Sequence, residues 1–256
     1  LYKIPATSLF MGKKLVFVPE CHSTNALAHE LSQNTSIIDG TVIITHNQTA
    51  GRGQRGNTWE AEPGKNLTFS VLLKPGFLSI KDQFFLNIFT SLAIHDVLRD
   101  KIKAIVSIKW PNDILVSRKK LCGILVQNQI QAQQVSTSII GIGINVNQTE
   151  FKAAAATSIF NETGRYFDLP ELLEEFIGCL ERRYLQLRTG EFALLKQQYL
   201  HHLYGRNENH RFVSNDIPFN GIITGIDDNG KLVVETPNER RSFNFQELKF
   251  LLDAEI

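Results

Sequence analysis

Apolar and polar positions along this 256-residue chain recur with two periods, and the switches between them outline its elements. Leu15–Pro19 reads as a short strand. Ser23 or Thr24 then supplies an N-cap for a helix to about Leu31, with Leu27, Ala28 and Leu31 at helical spacing. The β-branched run Thr41–Thr45 is a strand, and β character resumes over Asn66–Lys74. Ser79 with Asp82 three residues on has the form of a capping box and predicts a helix over Ile80–Arg99. Phe84, Phe85, Ile88, Leu92 and Ile94 give that helix a core-facing stripe.

Four β-like runs follow closely: Ile105–Trp110, Ile114–Ser117, Leu121–Gln127 and Ser138–Asn145. Strands so near one another fit a mixed or antiparallel sheet, not an alternating parallel one. Ala153–Ala156 reads as a turn of helix built from small residues. Asp168-Leu169-Pro170-Glu171 is an N-cap with an early proline, opening a helix to about Leu187. Another helix is expected over Glu191–Tyr204. From about Arg211 only short alternating runs remain, and Asn229-Gly230 between Gly221–Ile226 and Leu232–Glu235 is a hairpin signal. The pattern predicts an α+β chain with a catalytic-size unit over residues 1–208. A small β-barrel of SH3-like dimensions follows over 209–256, too small to stand without docking on the rest.

Lys+Arg 27 against Asp+Glu 26 leaves a net charge of +1, which provides no broad basic field for non-specific nucleic-acid binding. No apolar stretch reaches the length of a membrane span, and Leu1–Leu15 lacks the apolar core of a secretory leader. Cys21, Cys122 and Cys179 are odd in number and widely spaced, with neither CxxC nor metal-ligand spacing. Free thiols in a reducing, cytoplasmic setting and no metal site are the expectation. His201-His202 diverge on a helical segment and do not share a ligand.

Candidate chemistry sits in five segments. Gly51-Arg52-Gly53-Gln54-Arg55-Gly56 packs three glycines and two arginines into six positions directly after a strand. Glycine lets a backbone approach a ligand closely, and arginine offers a planar fork of donors to carboxylate or phosphate. A flexible surface loop would explain this segment alone, and it matches neither the P-loop nor the dinucleotide fingerprint. Lys109-Trp110-Pro111-Asn112-Asp113 is in part a β-turn sequence. Lys120-Leu121-Cys122-Gly123-Ile124 and Gly141-Ile142-Gly143-Ile144-Asn145 put glycines inside β runs, which marks either a bulge or a close approach by a ligand. His22-Ser23-Thr24-Asn25 opens the first helix.

Each segment is ambiguous, but their order and separations are specific. The chain resembles the biotin–protein ligases, also called biotin–[acetyl-CoA-carboxylase] ligases, over about Val18–Asn147, and more loosely in the C-terminal barrel. In that family a Ser-Thr-Asn segment, a Gly-Arg-Gly-x-x-Gly loop, Lys-Trp-Pro-Asn-Asp, Lys-Leu-x-Gly-Ile and Gly-x-Gly-Ile-Asn occur in this order. Some relatives carry an N-terminal winged-helix repressor domain. Only 22 residues precede Ser23, so the expectation is the monofunctional type.

The resemblance implies a two-step reaction. The carboxylate of biotin attacks the α-phosphate of ATP, and a lysine of a biotin carboxyl carrier domain then attacks biotinyl-5′-AMP. Arg52, Lys120 and Asp113 are implied as catalytic. Lys120 would bridge the biotin carboxyl oxygen and the α-phosphate, while Asp113 either orients Lys120 or helps deprotonate the incoming amine. Ser23, Thr24 and Gln48 are implied to hydrogen-bond the ureido ring, with Asn25, Arg52, Gly53, Gln54 and Lys120 also at biotin, and Gly123, Gly141 and Ile144 packing on it. Arg52, Arg55, Lys109, Asn112, Lys120 and Gly143 are implied at the nucleotide, with Asn145 facing adenine. Trp59 is either a packing residue or a nucleotide contact. Mg²⁺ is implied as a companion of ATP without a protein site of its own.

Physics asks for these residue types independently. A carboxylate attacking a polyphosphate must overcome mutual negative charge, so fixed cations are needed at the junction. One departure stands out: many relatives have arginine where this chain has Gln54, which removes a bidentate cation from the loop. The implied partner is the carrier domain of acetyl-CoA carboxylase or of other biotin-dependent carboxylases; a homodimer is left open, and nucleic acid and membrane are not expected. Two rivals remain. A lipoate ligase or octanoyltransferase shares the fold, but its Arg-Arg-x-Ser-Gly-Gly-Gly pattern is missing here. An RNA-binding module would need a basic face with exposed aromatics.

Overall fold

A computed structural model describes residues 2–3, 8–33 and 37–251. Strands β1 (Leu15–Cys21) and β2 (Thr41–Gln48) run parallel, joined through helix α1 (Thr24–Ser32). The remaining strands of this sheet are β3 (Leu67–Leu73), β4 (Val106–Lys109), β5 (Asp113–Val116), β6 (Lys119–Gln131) and β7 (Gln134–Ile144), all pairing antiparallel. The order across the seven strands is β1-β2-β3-β7-β6-β5-β4. Helices α2 (Phe85–Lys101), α3 (Ile159–Thr163), α4 (Leu169–Arg188) and α5 (Phe192–His201) complete this part.

Strand parity divides the sheet into two unlike faces, because successive side chains point to opposite sides. Val42, Ile44, Phe69, Val71, Ile140, Ile142 and Ile144 enter the large core together with Leu92 of α2 and Phe176 of α4. Ile43, Leu72 and Ile139 face the other way and meet Ala28 of α1 and Ile37. The functional groups lie on this second, thinly covered face.

Helix α4 begins as its sequence predicts, with the Asp168 carboxylate accepting from the Glu171 N–H at 3.0 Å. Midway along it the buried Glu181 carboxylate accepts from the backbone N–H groups of Leu9, Phe10 and Met11 at 2.7, 2.7 and 2.8 Å. That contact fixes the segment leading into β1.

The C-terminal strands β8 (Asn209–Ser214), β9 (Ile217–Ile226), β10 (Leu232–Glu235), β11 (Arg240–Phe243) and β12 (Lys249–Phe250) form a five-stranded antiparallel sheet ordered β11-β10-β9-β8-β12. The expected hairpin joins β9 and β10, its turn held by Asp227, whose carboxylate accepts from the N–H groups of Asn229 and Lys231. This sheet is fastened to the larger one: the Trp110 indole N–H donates to the Gly230 carbonyl at 2.9 Å, and the Lys109 ammonium lies 5.1 Å from the Phe250 ring centre.

Two expectations need correcting. The long helix starts at Phe85, not at Ile80, because Ile80–Asp82 is a 3₁₀ turn and the Ser79 hydroxyl accepts from the Lys81 N–H. Ser79 is drawn there by a bridge to Gln134, and the Ile80 N–H donates to the Gln133 carbonyl. Ala153–Ala156 is not helical: the Ala155 carbonyl accepts from the Lys120 N–H, and Ala156 forms a parallel bridge to Lys120. The helix of that region is instead α3, capped by the Ser158 hydroxyl and ended by Gly164 at φ 67°.

A stacked pair of imidazoles joins the end of α5 to α2, with the rings of His95 and His202 3.9 Å apart. Burial, then the neighbouring His95, His201 and Arg99, lower the His202 pKa from 6.5 to about 4, with Asp96 opposing. The folded state therefore favours neutral His202, while the unfolded chain takes up a proton below about 6.5. Stability contributed by this group is complete above pH 6.5 and is lost as the pH falls toward 4. Urea unfolding at pH 7.5 and pH 5 should show the loss, and His202→Gln should shrink the difference. An identical pH dependence in that variant would assign acid sensitivity to other groups.

Candidate active site

The floor of the site is built from paired strand positions on the thinly covered face. Gly143 of β7 pairs with Thr68 of β3 and Gly123 of β6, and Gly141 pairs with Ser70 and Leu125. Above this floor lies a cavity lined by residues that include Ser23, Thr24, Gln48, Arg52, Trp59 and Lys120. Four of the five sequence segments thus meet through side chains or backbone at one cavity, and Asn112 brings in the fifth.

At one end, a hydrogen-bond network starts at the first turn of α1. The Gln48 amide oxygen accepts from the Thr24 N–H at 2.8 Å and lies 3.2 Å from the Thr24 hydroxyl. The Ser70 hydroxyl sits 2.7 Å from Thr24 Oγ1 and donates to Asn25 Oδ1 at 2.7 Å. Asn25 Nδ2 donates to the Gln127 side chain at 2.8 Å and to the Leu125 carbonyl at 3.3 Å. Asn25 is buried, and a Cβ on Gly141 would lie 2.3 Å from its Oδ1. Asn25 therefore spans the floor and holds the network together. Ser23 precedes α1 in an extended conformation, and its buried hydroxyl makes no cap bond to the helix.

At the other end, Lys120 Nζ and Asp113 Oδ1 form an ion pair at 2.7 Å. A register shift between Ile114 and Leu115 places Leu115 opposite Lys120. Asn112 pins the loop before β5, its side-chain amide donating to the Ile124 carbonyl while its own carbonyl accepts from the Ile124 N–H. Asp113 is thereby held firmly against the ammonium. Cys122 behind it is wholly buried, and burial pushes its thiol pKa far up, so it is no nucleophile.

The glycine loop crosses over the top. Its Gly53 N–H donates to the Asn57 carbonyl at 2.7 Å, and the Trp59 N–H donates to the Gly51 carbonyl at 3.0 Å. These bonds turn Trp59 inward, where its indole lies on Gly143; a Cβ there would be 2.3 Å from Trp59 Cε2. The ring centre is 5.8 Å from Lys120 Nζ, within cation–π range. With the indole in this position the cavity holds about 50 Å³. The indole nitrogen is buried without a hydrogen-bond partner.

Some implied site residues lie elsewhere. The Ile144 side chain is in the large core, because it alternates with Gly143 and so faces away. Lys109 is directed toward Phe250 of the small sheet. Asn145 is buried beyond the cavity lining, its Nδ2 donating to the Thr157 carbonyl at 2.9 Å while its Oδ1 has no partner. The side chain of Arg55 lies outside the described residues. Conversely, Thr68 and Ser70 belong to the site and went unassigned, although polar residues two apart in the apolar run Leu67–Leu73 already mark one strand face as facing something polar.

The sequence pattern of the biotin/lipoate A/B protein ligase family matches residues 18–145, and that of the biotin protein ligase C terminal domain matches residues 211–245. The chain belongs to the biotin/lipoate A/B protein ligase family. Within this family it is 33% identical over 232 residues to the bifunctional ligase/repressor BirA of Bacillus subtilis, covering 88% of this chain and 70% of that protein. It is 30% identical over 238 residues to the biotin–[acetyl-CoA-carboxylase] ligase of Paracoccus denitrificans, covering 89% and 97%. The biotin protein ligase of Aquifex aeolicus, solved in complex with biotin and ATP, shares the fold with a TM-score of 0.78 at 24% identity, covering 93% and 99% of the two chains.

Proposed function

We propose that this chain is a biotin–protein ligase that activates biotin with ATP and passes it to a carrier lysine. The observation that carries this reading is the Lys120–Asp113 ion pair at one end of a cavity whose other end is a neutral hydrogen-bonding network. In the first step a biotin carboxylate oxygen bonds to the α-phosphorus of ATP, and pyrophosphate leaves. Lys120 and Arg52 offset the charge that gathers between the two anions, an effect that grows where water is excluded. In the second step the amine nitrogen of a lysine bonds to the acyl carbon, the bond from that carbon to the phosphate oxygen breaks, and AMP leaves. Asp113, paired with Lys120, either orients that ammonium in the first step or takes the proton released in the second.

Gln48, Thr24 and Ser23 suit the uncharged ureido group, and the Asn145 oxygen, buried outside the cavity lining, is an unpartnered acceptor of the kind an exocyclic amine such as that of adenine would satisfy. A ligand pocket ordinarily encloses roughly 300–1,000 Å³, so the Trp59 indole moves off Gly143 as the ring enters. Mg²⁺ enters this reading as a companion of ATP that shields the leaving pyrophosphate. The unit boundary near residue 208 follows the start of the second sheet at Asn209. No helix among the described residues is long and apolar enough to cross a membrane, and the three free thiols suit the cytoplasm. Pyrophosphate exchange with biotin, lipoate and octanoate tests the reading. Exchange with biotin alone is expected; exchange with lipoate or octanoate instead would transfer the assignment to that branch of the family.

Gln54 adds a second test. It lines both the central cavity and the one beside it, which supports a ligand contact at this position. Glutamine presents a neutral amide where arginine would present a charged fork. A charge-assisted bond at such a site is worth roughly 1.5–3 kcal/mol, which is about ten- to hundredfold in affinity. Gln54→Arg should slow release of preformed biotinyl-AMP by that factor. Equal off-rates would show that position 54 does not touch the adenylate.

A further inference from the structure

A second cavity of about 360 Å³ adjoins the active site and shares Arg52, Gly53, Gln54 and Leu125 with it. Its far wall comes from the small sheet, through Asn229, Phe245 and Gln246. Its other sides are the turn entering α2, with Gln83, Phe84 and Asn87, and the β6 segment Leu125–Asn128. Half of the lining residues are asparagine or glutamine, and Arg52 is the single charged residue among the described ones.

That composition discriminates between occupants. A triphosphate or pyrophosphate calls for several cations or a run of backbone N–H groups, and the described lining offers one arginine among seven carboxamides. Carboxamides offer a donor and an acceptor each, the same pair that a peptide group presents. Asn128 is partly committed, donating to Gln83 Oε1 at 3.1 Å, while its own Oδ1 is buried without a partner and open to a donor. Phe245, 41% exposed beside Trp110, supplies an apolar surface at the mouth. The wall is held in register with the catalytic loop, because Trp110 is bonded to Gly230 while the following Pro111 lines the cavity and Asn112 and Asp113 lead to Lys120.

We propose that this cavity is the vestibule that binds the main chain on either side of the acceptor lysine, with Gln83, Asn87, Phe245 and Gln246 as specificity-determining residues for the transfer step. The inference rests on the ligase reading above. The lysine side chain then reaches past Gln54 to the acyl phosphate, and the flanking peptide groups pair with the carboxamides. Recognition of the acceptor is thereby separated from activation of biotin, since these four residues lie outside the lining of the central cavity.

The test uses the full chain and two variants on opposite walls, Phe245→Ala/Gln246→Ala and Gln83→Ala/Asn87→Ala. Three rates are measured in each: biotin-dependent pyrophosphate exchange, transfer to a purified biotin carboxyl carrier domain, and discharge of preformed adenylate to hydroxylamine. The expected result is a carrier KM raised at least tenfold in both variants, with exchange and hydroxylamine discharge within twofold of wild type. An unchanged carrier KM in both would overturn the vestibule, and a parallel fall in exchange would reassign the cavity to the nucleotide. Thermal melts accompany the assays, and if one variant fails to fold the other wall carries the test. Absence of biotin-dependent exchange in the wild type would instead sink the ligase reading itself.

Discussion

Lys120→Ala is expected to reduce biotin-dependent pyrophosphate exchange by about 10²–10³-fold, the usual consequence of removing one preorganised electrostatic stabiliser. The fold should tolerate the change. The Lys120 side chain is 40% exposed and pairs with Asp113 at its tip, so little packing is lost and the melting temperature should stay within a few degrees. Asp113→Asn separates the two roles open to the carboxylate. If Asp113 only orients the ammonium, an amide at the same place still accepts from Lys120 and both half-reactions should weaken together. If it takes the proton from the acceptor amine, transfer from preformed adenylate should fall much further than exchange, and the loss should ease at higher pH. Near-normal exchange in Lys120→Ala, or a melt showing general unfolding, would remove Lys120 from the chemistry.

The sheet was legible where residue type and period agreed. Thr41–Thr45 is wholly β-branched and Asn66–Lys74 is an apolar run with Thr68, Phe69 and Val71 at its centre, and both became interior strands. The helix boundaries were less legible because tertiary pairing competed with local signals. Ser79 has the look of a cap, but its partner lies on the β6–β7 hairpin, and nothing near Ser79 announces Gln134. The same holds for Ala153–Ala156, where the Ala155 carbonyl accepts from the Lys120 N–H of a distant strand. The missed α3 did leave a local trace in Ser158 followed by Gly164.

The site was legible as a set of segments but not as a set of side-chain directions. Motif position puts Gly141, Gly143, Ile144 and Asn145 together, whereas strand parity puts Ile144 beneath the sheet with the core. Parity can be read from sequence once one member of a strand is known to face the core, and Ile140, Ile142 and Ile144 share that face. What could not be read is that two of the glycines make room for the protein's own side chains. Gly143 accommodates Trp59, and Gly141 accommodates Asn25.

That last distinction makes two similar substitutions diverge. Gly141→Ala would place a methyl group 2.3 Å from Asn25 Oδ1 and 2.9 Å from its Cγ. Asn25 is buried and bonded to Ser70, Gln127 and Leu125, so it cannot withdraw without breaking those bonds. Overpacking together with a stranded buried amide costs about 2–4 kcal/mol. For a chain of this size that is roughly 5–15 °C in melting temperature, and loss of the Ser70–Thr24–Gln48 alignment should raise the KM for biotin. Gly143→Ala meets a different neighbour, the Trp59 indole at 2.3 Å, which sits on a partly exposed loop and can swing outward. That variant should melt close to wild type while exposing the indole, seen as a red shift in tryptophan emission. Comparable melting temperatures for the two variants would mean that Asn25 does not anchor the floor of the site.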